Sequence, residues 1–325
     1  MKLTLYLTAG AVLALVGLLY LYWTTGQNTF DIPTLEQYLS HRPLTMATQR
    51  WIFPFLLFGF GVIAPMWPFH SWSPIGHAAA PSPVSMLHAG VLMKLGSYAI
   101  LRLGVGLLPQ GALEWLPLVA VLCVMNIIYG GLVAMAQKDA KFLIGYSSSS
   151  HMGYVLLGIA CLNSIALNGA VLLMFAHGIM TALAFALIGQ VYDQTHTRIL
   201  SEWGGLAKKL PFIATAFCIA AMASSGLPGF ANFVSELLVF IGAWGPYRIQ
   251  AILAIFGIVI TATYMLRAVR TGFFGPLNPK WENLKDAVTP FERLPYIVLI
   301  SVLLVVGCWP QPFIKTIDVS TKAIL

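Results

Sequence analysis

Apolar residues run along this chain in long blocks, not in the alternation of a strand or the one-sided stripe of a soluble helix. About nine blocks are long enough to cross a bilayer, which takes about 20 residues of helix. They cover residues 3–23, 51–77, 83–107, 115–136, 141–161, 167–192, 211–244, 249–272 and 294–309. Most links between them are short. Residues 24–50, 193–210 and 273–293 are longer, polar, and rich in Pro, Gly or charge. The pattern predicts an all-α polytopic membrane protein.

Two blocks carry helix breakers. The second contains Pro65, Pro68 and Pro74, and the seventh contains Ser224-Ser-Gly-Leu-Pro-Gly229. Proline removes a backbone donor and clashes with the preceding turn. Non-helical backbone at membrane depth is tolerated only inside protein or along a wet cavity. A pair of interrupted spans is the sequence mark of an inverted-repeat transporter core.

Composition narrows the class. Of 325 residues, 58% are hydrophobic and 9% charged, and the mean hydropathy is +0.82. Soluble domains carry about 25% charged residues, so this chain cannot cover a water-facing surface. The net charge of +7 does not point to nucleic acid, because most Lys and Arg fall in the links. Counted on alternate sides, ten basic residues (Lys2, Lys138, Lys141, Arg198, Lys208, Lys209, Arg270, Lys280, Lys285 and Arg293) face five (Arg42, Arg50, Arg248, Lys315 and Lys322). The positive-inside rule then places the N-terminus in the cytoplasm and the C-terminus outside. The apolar run that starts at the N-terminus is long enough to be a retained span, not a cleaved signal.

Four ionisable residues fall deep inside apolar blocks: Lys94, His151, His177 and Glu236. A charge at the bilayer centre costs roughly 2.5–3.5 kcal/mol on insertion scales, and such residues mark ion pathways. Lysine, histidine and glutamate all exchange protons when burial and neighbours tune them. The four sit at similar depth, and the predicted role is a proton relay. Ser150 and the hydroxyls before His151 extend the polar stretch. Lys141 at a span end, and His70 and His77 flanking the first break, are accessory candidates. His88 lies six residues before Lys94 and so turns to another side of its helix. Asp193, His196 and Arg198 form a polar set at a span end. The four cysteines are isolated and lie in or beside apolar blocks, which supports neither a zinc nor an iron–sulfur site. Gly59-Phe-Gly-Val-Ile-Ala64 fits a dinucleotide-binding spacing but lies inside a span with no strand before it.

Several strings resemble the M-type antiporter-like subunit (mitochondrial subunit 4-like) of respiratory complex I. They are Trp67-Pro-Phe-His-Ser-Trp-Ser-Pro-Ile-Gly-His-Ala-Ala-Ala-Pro81, Ser85-Met-Leu-His-Ala-Gly-Val-Leu-Met-Lys-Leu-Gly-Ser-Tyr98 and Asp139-Ala-Lys-Phe-Leu-Ile-Gly-Tyr-Ser-Ser-Ser-Ser-His-Met-Gly153. Ala176-His-Gly178, Tyr192-Asp-Gln-Thr-His-Thr-Arg198 and Gly226-Leu-Pro-Gly-Phe-Ala-Asn-Phe-Val-Ser-Glu236 follow in the family's order. The resemblance implies an antiporter-like inverted-repeat fold with an incomplete first repeat: residues 1–110 as its remainder, 111–272 as a complete second repeat, and 273–325 as a loop and C-terminal span. It implies a proton-translocating subunit of an NADH-quinone oxidoreductase in a bacterial inner membrane. NADH, flavin, iron–sulfur clusters and quinone would be held by partner subunits, with no cofactor in this chain. Its neighbours would be further antiporter-like subunits and small helical subunits. Lys94 matches the family's central lysine, His151 and His177 its polar axis, and Glu236 the end of that axis.

Two departures accompany it. The family's chain is longer at its N-terminal side, where it holds a glutamate that pairs with a lysine one helix before the central one; that lysine position is Ile63 here. The resemblance therefore also admits a fragment, a split subunit, or a lineage with an altered first half-channel. A subunit of a cation/proton antiporter or of a membrane-bound hydrogenase, and a non-conducting scaffold chain, are the alternative functions.

Overall fold

A computed structural model describes all residues, Met1–Leu325. Helices dominate, and the one β-type pairing is an isolated bridge between Asp139 and Ile199. Seven helices are long and apolar enough to cross a membrane. They are α1 (Lys2–Thr25), α3 (Met46–Ile63), α5 (Ser82–Val105), α6 (Pro109–Ala136), α8 (Ser164–Thr195), α11 (Arg248–Phe273) and α12 (Pro290–Cys308). The two other predicted spans take different forms. One is the single helix α7 (Ala140–Ala160), whose four serines lower its hydropathy. The other is the split pair α9 (Pro211–Ser224) and α10 (Ala231–Ala243). Short helix α4 (Trp72–Ala79) continues α3 after its break. Amphipathic α2 (Ile32–His41) and α13 (Gln311–Lys322) lie in the first long link and at the C-terminus.

Burial orders these helices from centre to rim. Nineteen of the 21 residues of α7 are buried, so its serines face protein on every side. By contrast α1 buries only Gly10, Ala14, Gly17, Leu21 and Thr25, one stripe three to four residues apart. That stripe packs on α3 at van der Waals limits: a Cβ on Gly59 would lie 2.5 Å from the Ala14 nitrogen. The opposite face of α1 leaves Leu5, Val12, Leu15 and Leu19 exposed, as a lipid-facing helix does. Small residues also let α6 and α7 approach, since a Cβ on Gly153 would lie 2.8 Å from the Cys123 carbonyl.

Local signals set the ends of the central helices. Asp139 caps α7, its carboxylate accepting from the amides of Lys141 and Phe142. Asn163 caps α8 through the Ala166 amide at 2.9 Å. With 32 residues at about 1.5 Å each, α8 exceeds the bilayer's hydrocarbon thickness and links both ends of the bundle.

Candidate functional site

The site is built where α5, α7, α8 and α10 meet. On α5, Lys94 lies between two π-helical segments, His88–Leu92 and Ile100–Val105. Such wide turns are rare and recur at functional sites. The first segment packs on α8 where Gly90 and Gly178 face one another; a Cβ on Gly178 would lie 2.9 Å from the Gly90 carbonyl. This close crossing carries the Lys94 ammonium to His177 Nδ1, at 2.7 Å. The ammonium also donates to the Ala89 carbonyl.

From His177 the polar line passes to His151 on α7, with ring centroids 5.1 Å apart. His151 Nδ1 lies 2.8 Å from the Ser147 carbonyl, and Nε2 lies 3.1 Å from the Ser224 carbonyl and 3.6 Å from Glu236 Oε1. All four side chains are at most 8% exposed. The break between α9 and α10 makes the last step. Because α9 ends at Ser224, its final carbonyls lose their helical partners, and the one at Ser224 turns to His151. Gly226, with φ +64°, lies against Glu236; a Cβ there would sit 2.7 Å from Oε2. Glycine is the residue that this turn and this approach both allow.

The structure thus brings together all four residues singled out by depth, but not in chain order. In space the line runs Lys94, His177, His151, Glu236. The accessory candidates are dispersed. Ser150 donates to the Ile127 carbonyl at 2.9 Å and points away from the line. Lys141 donates to the Ala80 carbonyl at 2.8 Å, and Arg198 donates to the Ala78 carbonyl while pairing with Asp139 at 3.0 Å. Together they satisfy the C-terminal carbonyls of α4. His70 stands beside Tyr129, ring centroids 5.4 Å apart. His77 is fully buried against Phe185. No group of three or more His, Cys, Asp or Glu side chains converges as metal ligands would.

Several site residues escape a sequence reading. Tyr264 donates to the Ser147 hydroxyl at 2.8 Å, holding the turn whose carbonyl binds His151. Asn232, one turn before Glu236, is fully buried with both amide atoms unpartnered; its four-residue spacing from Glu236 was the available signal. His177 Nε2, the Ser224 hydroxyl and Glu236 Oε1 are also buried without a hydrogen-bond partner. Glu236 is the one ionisable residue lining an otherwise largely apolar groove of about 540 Å³, walled by Phe233, Phe240, Trp244 and Ile258.

Comparison with known proteins bears on the family and the fold. A family described as NADH:quinone oxidoreductase/Mrp antiporter, transmembrane, matches residues 1–261. The NAD(P)H-quinone oxidoreductase chain 4 2 of Synechococcus sp. (strain JA-3-3Ab) is 37% identical over 333 residues, covering 100% of this chain and 62% of the relative. Chain 4 of the same oxidoreductase from Gloeobacter violaceus is 38% identical over 319 residues, covering 95% of this chain and 60% of the relative. The chain thus spans about three-fifths of the length of the curated relatives it matches. Among solved structures, a chain of respiratory complex I from Thermus thermophilus with bound NADH superposes with a TM-score of 0.92 at 29% identity, covering 99% of this chain and 68% of that one. The Mrp complex from Dietzia sp. DQ12-45-1b shares the fold, with a TM-score of 0.84 at 22% identity over 98% of this chain and 66% of that one. With its seven long apolar helices, the chain is an integral membrane protein.

Proposed function

This chain belongs to the NADH:quinone oxidoreductase/Mrp antiporter transmembrane family, and from that premise we propose that it is a proton-translocating membrane subunit of a complex-I-like NAD(P)H-quinone oxidoreductase. One observation carries the reading: four buried proton-exchanging side chains on four helices stand in line, each next to the following one.

The chemistry follows from the contacts. The Lys94 ammonium donates to His177 Nδ1, leaving a neutral amine and an imidazolium. His177 then releases its Nε2 proton toward His151, whose ring centroid lies 5.1 Å from its own. Doubly protonated His151 donates from both ring nitrogens, to the Ser147 and Ser224 carbonyls. Loss of the Nε2 proton to Glu236 leaves it neutral, donating from Nδ1 alone. No bond other than N–H and O–H changes. The α9/α10 break supplies the Ser224 acceptor that an unbroken helix would keep for itself.

In this reading electrons pass from NAD(P)H to quinone in other subunits, which hold the flavin and iron–sulfur clusters. Residues 111–272 act as a complete repeat beside the three spans of residues 1–110. The protein lies in a bacterial inner membrane with its lysine-rich end in the cytoplasm, among further antiporter-like subunits. The test is proton pumping by membrane vesicles carrying Lys94→Ala or Glu236→Ala. Each variant should assemble and pump less, by roughly a hundredfold if it behaves as other positioned proton-transfer groups do. Normal pumping in both would sink the relay. Sodium-dependent transport with no quinone reduction would instead favour the Mrp side of the family.

A further inference from the structure

The first turns of α3 and α6 meet in a groove that the line from Lys94 to Glu236 does not use. Met46, Ala47, Arg50 and Trp51 of α3 and Glu114 and Trp115 of α6 line a cavity of about 560 Å³. Both helices start at the end of the bundle opposite Lys2, so the groove opens on that side. Arg50 Nε pairs with Glu114 Oε1 at 2.9 Å. The Trp115 indole donates to the Arg50 carbonyl at 3.2 Å and ties the two helix ends together. Trp51 stands 66% exposed beside them. The ion pair uses only part of its capacity. Its one contact leaves the two terminal nitrogens of the Arg50 guanidinium and Glu114 Oε2 with no partner in the chain. An exposed pair of this kind contributes little to stability, so the fold alone does not account for it.

Depth and charge identify what fits. Arg50 and Glu114 lie within the first two turns of their spans, where hydrocarbon gives way to headgroups and where Trp side chains collect. Deeper along α6, Leu118, Val121 and Met125 are 40–50% exposed and form an apolar wall. A carboxylate beside the guanidinium repels a headgroup that is only anionic, and the guanidinium repels one that is only cationic. A headgroup carrying both signs satisfies both residues. The guanidinium fork matches a phosphate through two parallel hydrogen bonds, and Glu114 Oε2 accepts from an ammonium N–H, which a choline lacks. We propose that this groove binds a zwitterionic phospholipid of the phosphatidylethanolamine class. Its phosphate rests on Arg50, its ammonium donates to Glu114, its glycerol lies between the two indoles, and its chains follow the exposed face of α6. The lipid then clamps α3, which leads into the first interruption, against its neighbour α6.

The test uses the full chain, purified in detergent and stripped of lipid. Phosphatidylethanolamine, phosphatidylcholine and phosphatidylglycerol of equal chain length are titrated in, and native mass spectrometry counts the tightest-bound lipid. The ethanolamine lipid should bind about tenfold tighter than the other two, the worth of one charge-assisted hydrogen bond. Glu114→Gln should abolish the preference for ethanolamine over choline. Arg50→Ala should weaken ethanolamine-lipid binding by about tenfold, and Arg50→Lys, which keeps the charge without the fork, should fall between. Arg248→Ala, a cation at the same end but outside the groove, should bind as the unmodified chain does. Should Arg50→Ala fail to fold, Arg50→Lys and Glu114→Gln carry the test. Equal affinity for the three lipids, or unchanged lipid preference in Glu114→Gln, overturns the proposal. So does an Arg50→Ala complex that sheds a neighbouring subunit while keeping its ethanolamine lipid, because the groove is then a protein contact.

Discussion

At the first interruption, between Ile63 and Trp72, Asn126 reaches across from α6 and takes up the freed backbone. Its amide nitrogen donates to the Pro65 and Ser149 carbonyls at 2.9 Å each, and its oxygen accepts from the Trp67 amide. The Trp72 indole donates to the Val62 carbonyl at 2.8 Å. At the second interruption, between Ser224 and Ala231, the freed Ser224 carbonyl faces His151, and Asn232, the Ser224 hydroxyl and Glu236 Oε1 stay unpartnered. Prolines open the first span, and proline and glycine the second; at the first, protein takes up the freed backbone and leaves one ring nitrogen, His70 Nδ1, unpartnered, whereas the second is left for exchangeable groups. Breaking a helix in a membrane is therefore not by itself a sign of transport. What matters is whether protein side chains or mobile protons satisfy the released backbone.

The contrast makes separable predictions. The largest effect on stability is expected at the sealed break. Asn126→Ala strands the Pro65 carbonyl and the Trp67 amide and should cost about 3 kcal/mol, given about 1–3 per stranded buried group. Thermal unfolding of the purified complex would show it, whereas Glu236→Gln should leave the midpoint almost in place. Equal losses in the two variants would erase the distinction. A smaller effect is expected from Gly226→Ala. Its φ of +64° makes a side chain strained by about 1–2 kcal/mol, and its Cβ would displace the Glu236 carboxylate. Pumping should fall. Gly61→Ala at the sealed break should pump normally, because its Cβ meets the flexible tip of Met66 at 2.8 Å. The smallest effect lies far from both breaks. The Lys322 ammonium and the Asn168 amide bond Asp318 and hold its carboxyl below the ordinary carboxylate range. The folded value is the lower one, so docking of α13 on α8 is at full strength above that range and weakens as pH falls through it. Hydrogen exchange in α13 at pH 3 and pH 7 would register the change; equal protection would refute it.

The spans, both breaks and the four central residues were legible in the sequence because each contrasts with its surroundings: a charge, an imidazole or a proline in an apolar block. Arrangement was not legible. His151 precedes His177 in the chain but follows it in the line, since α5 crosses α8, not α7, at the Gly90–Gly178 contact. The run from Ser147 to Ser150 reads as one file of hydroxyls, yet about 100° per residue sends them to different sides. The Ser147 hydroxyl meets Tyr264, Ser150 meets Ile127, and Ser148 and Ser149 meet no partner. His88 does turn away from Lys94, as its spacing requires, but a spacing cannot say that His77 waits on the side it turns to. Asn126 carries no local signal at all, because its partners lie 59, 61 and 23 residues away in sequence.

The π segments on either side of Lys94 also shape how this gene can change. A wide turn holds one more residue than an ordinary turn, so α5 contains two places where a residue can be lost without breaking the helix. A single-codon deletion within His88–Leu92 would leave a regular helix that still spans the membrane. It would also turn one flank of that helix by about 100° against the other, separating Lys94 from His177 or His88 from His77. A deletion here would keep the full set of chemical groups and break the connection between them, and only a second insertion or deletion in the same helix could repair it.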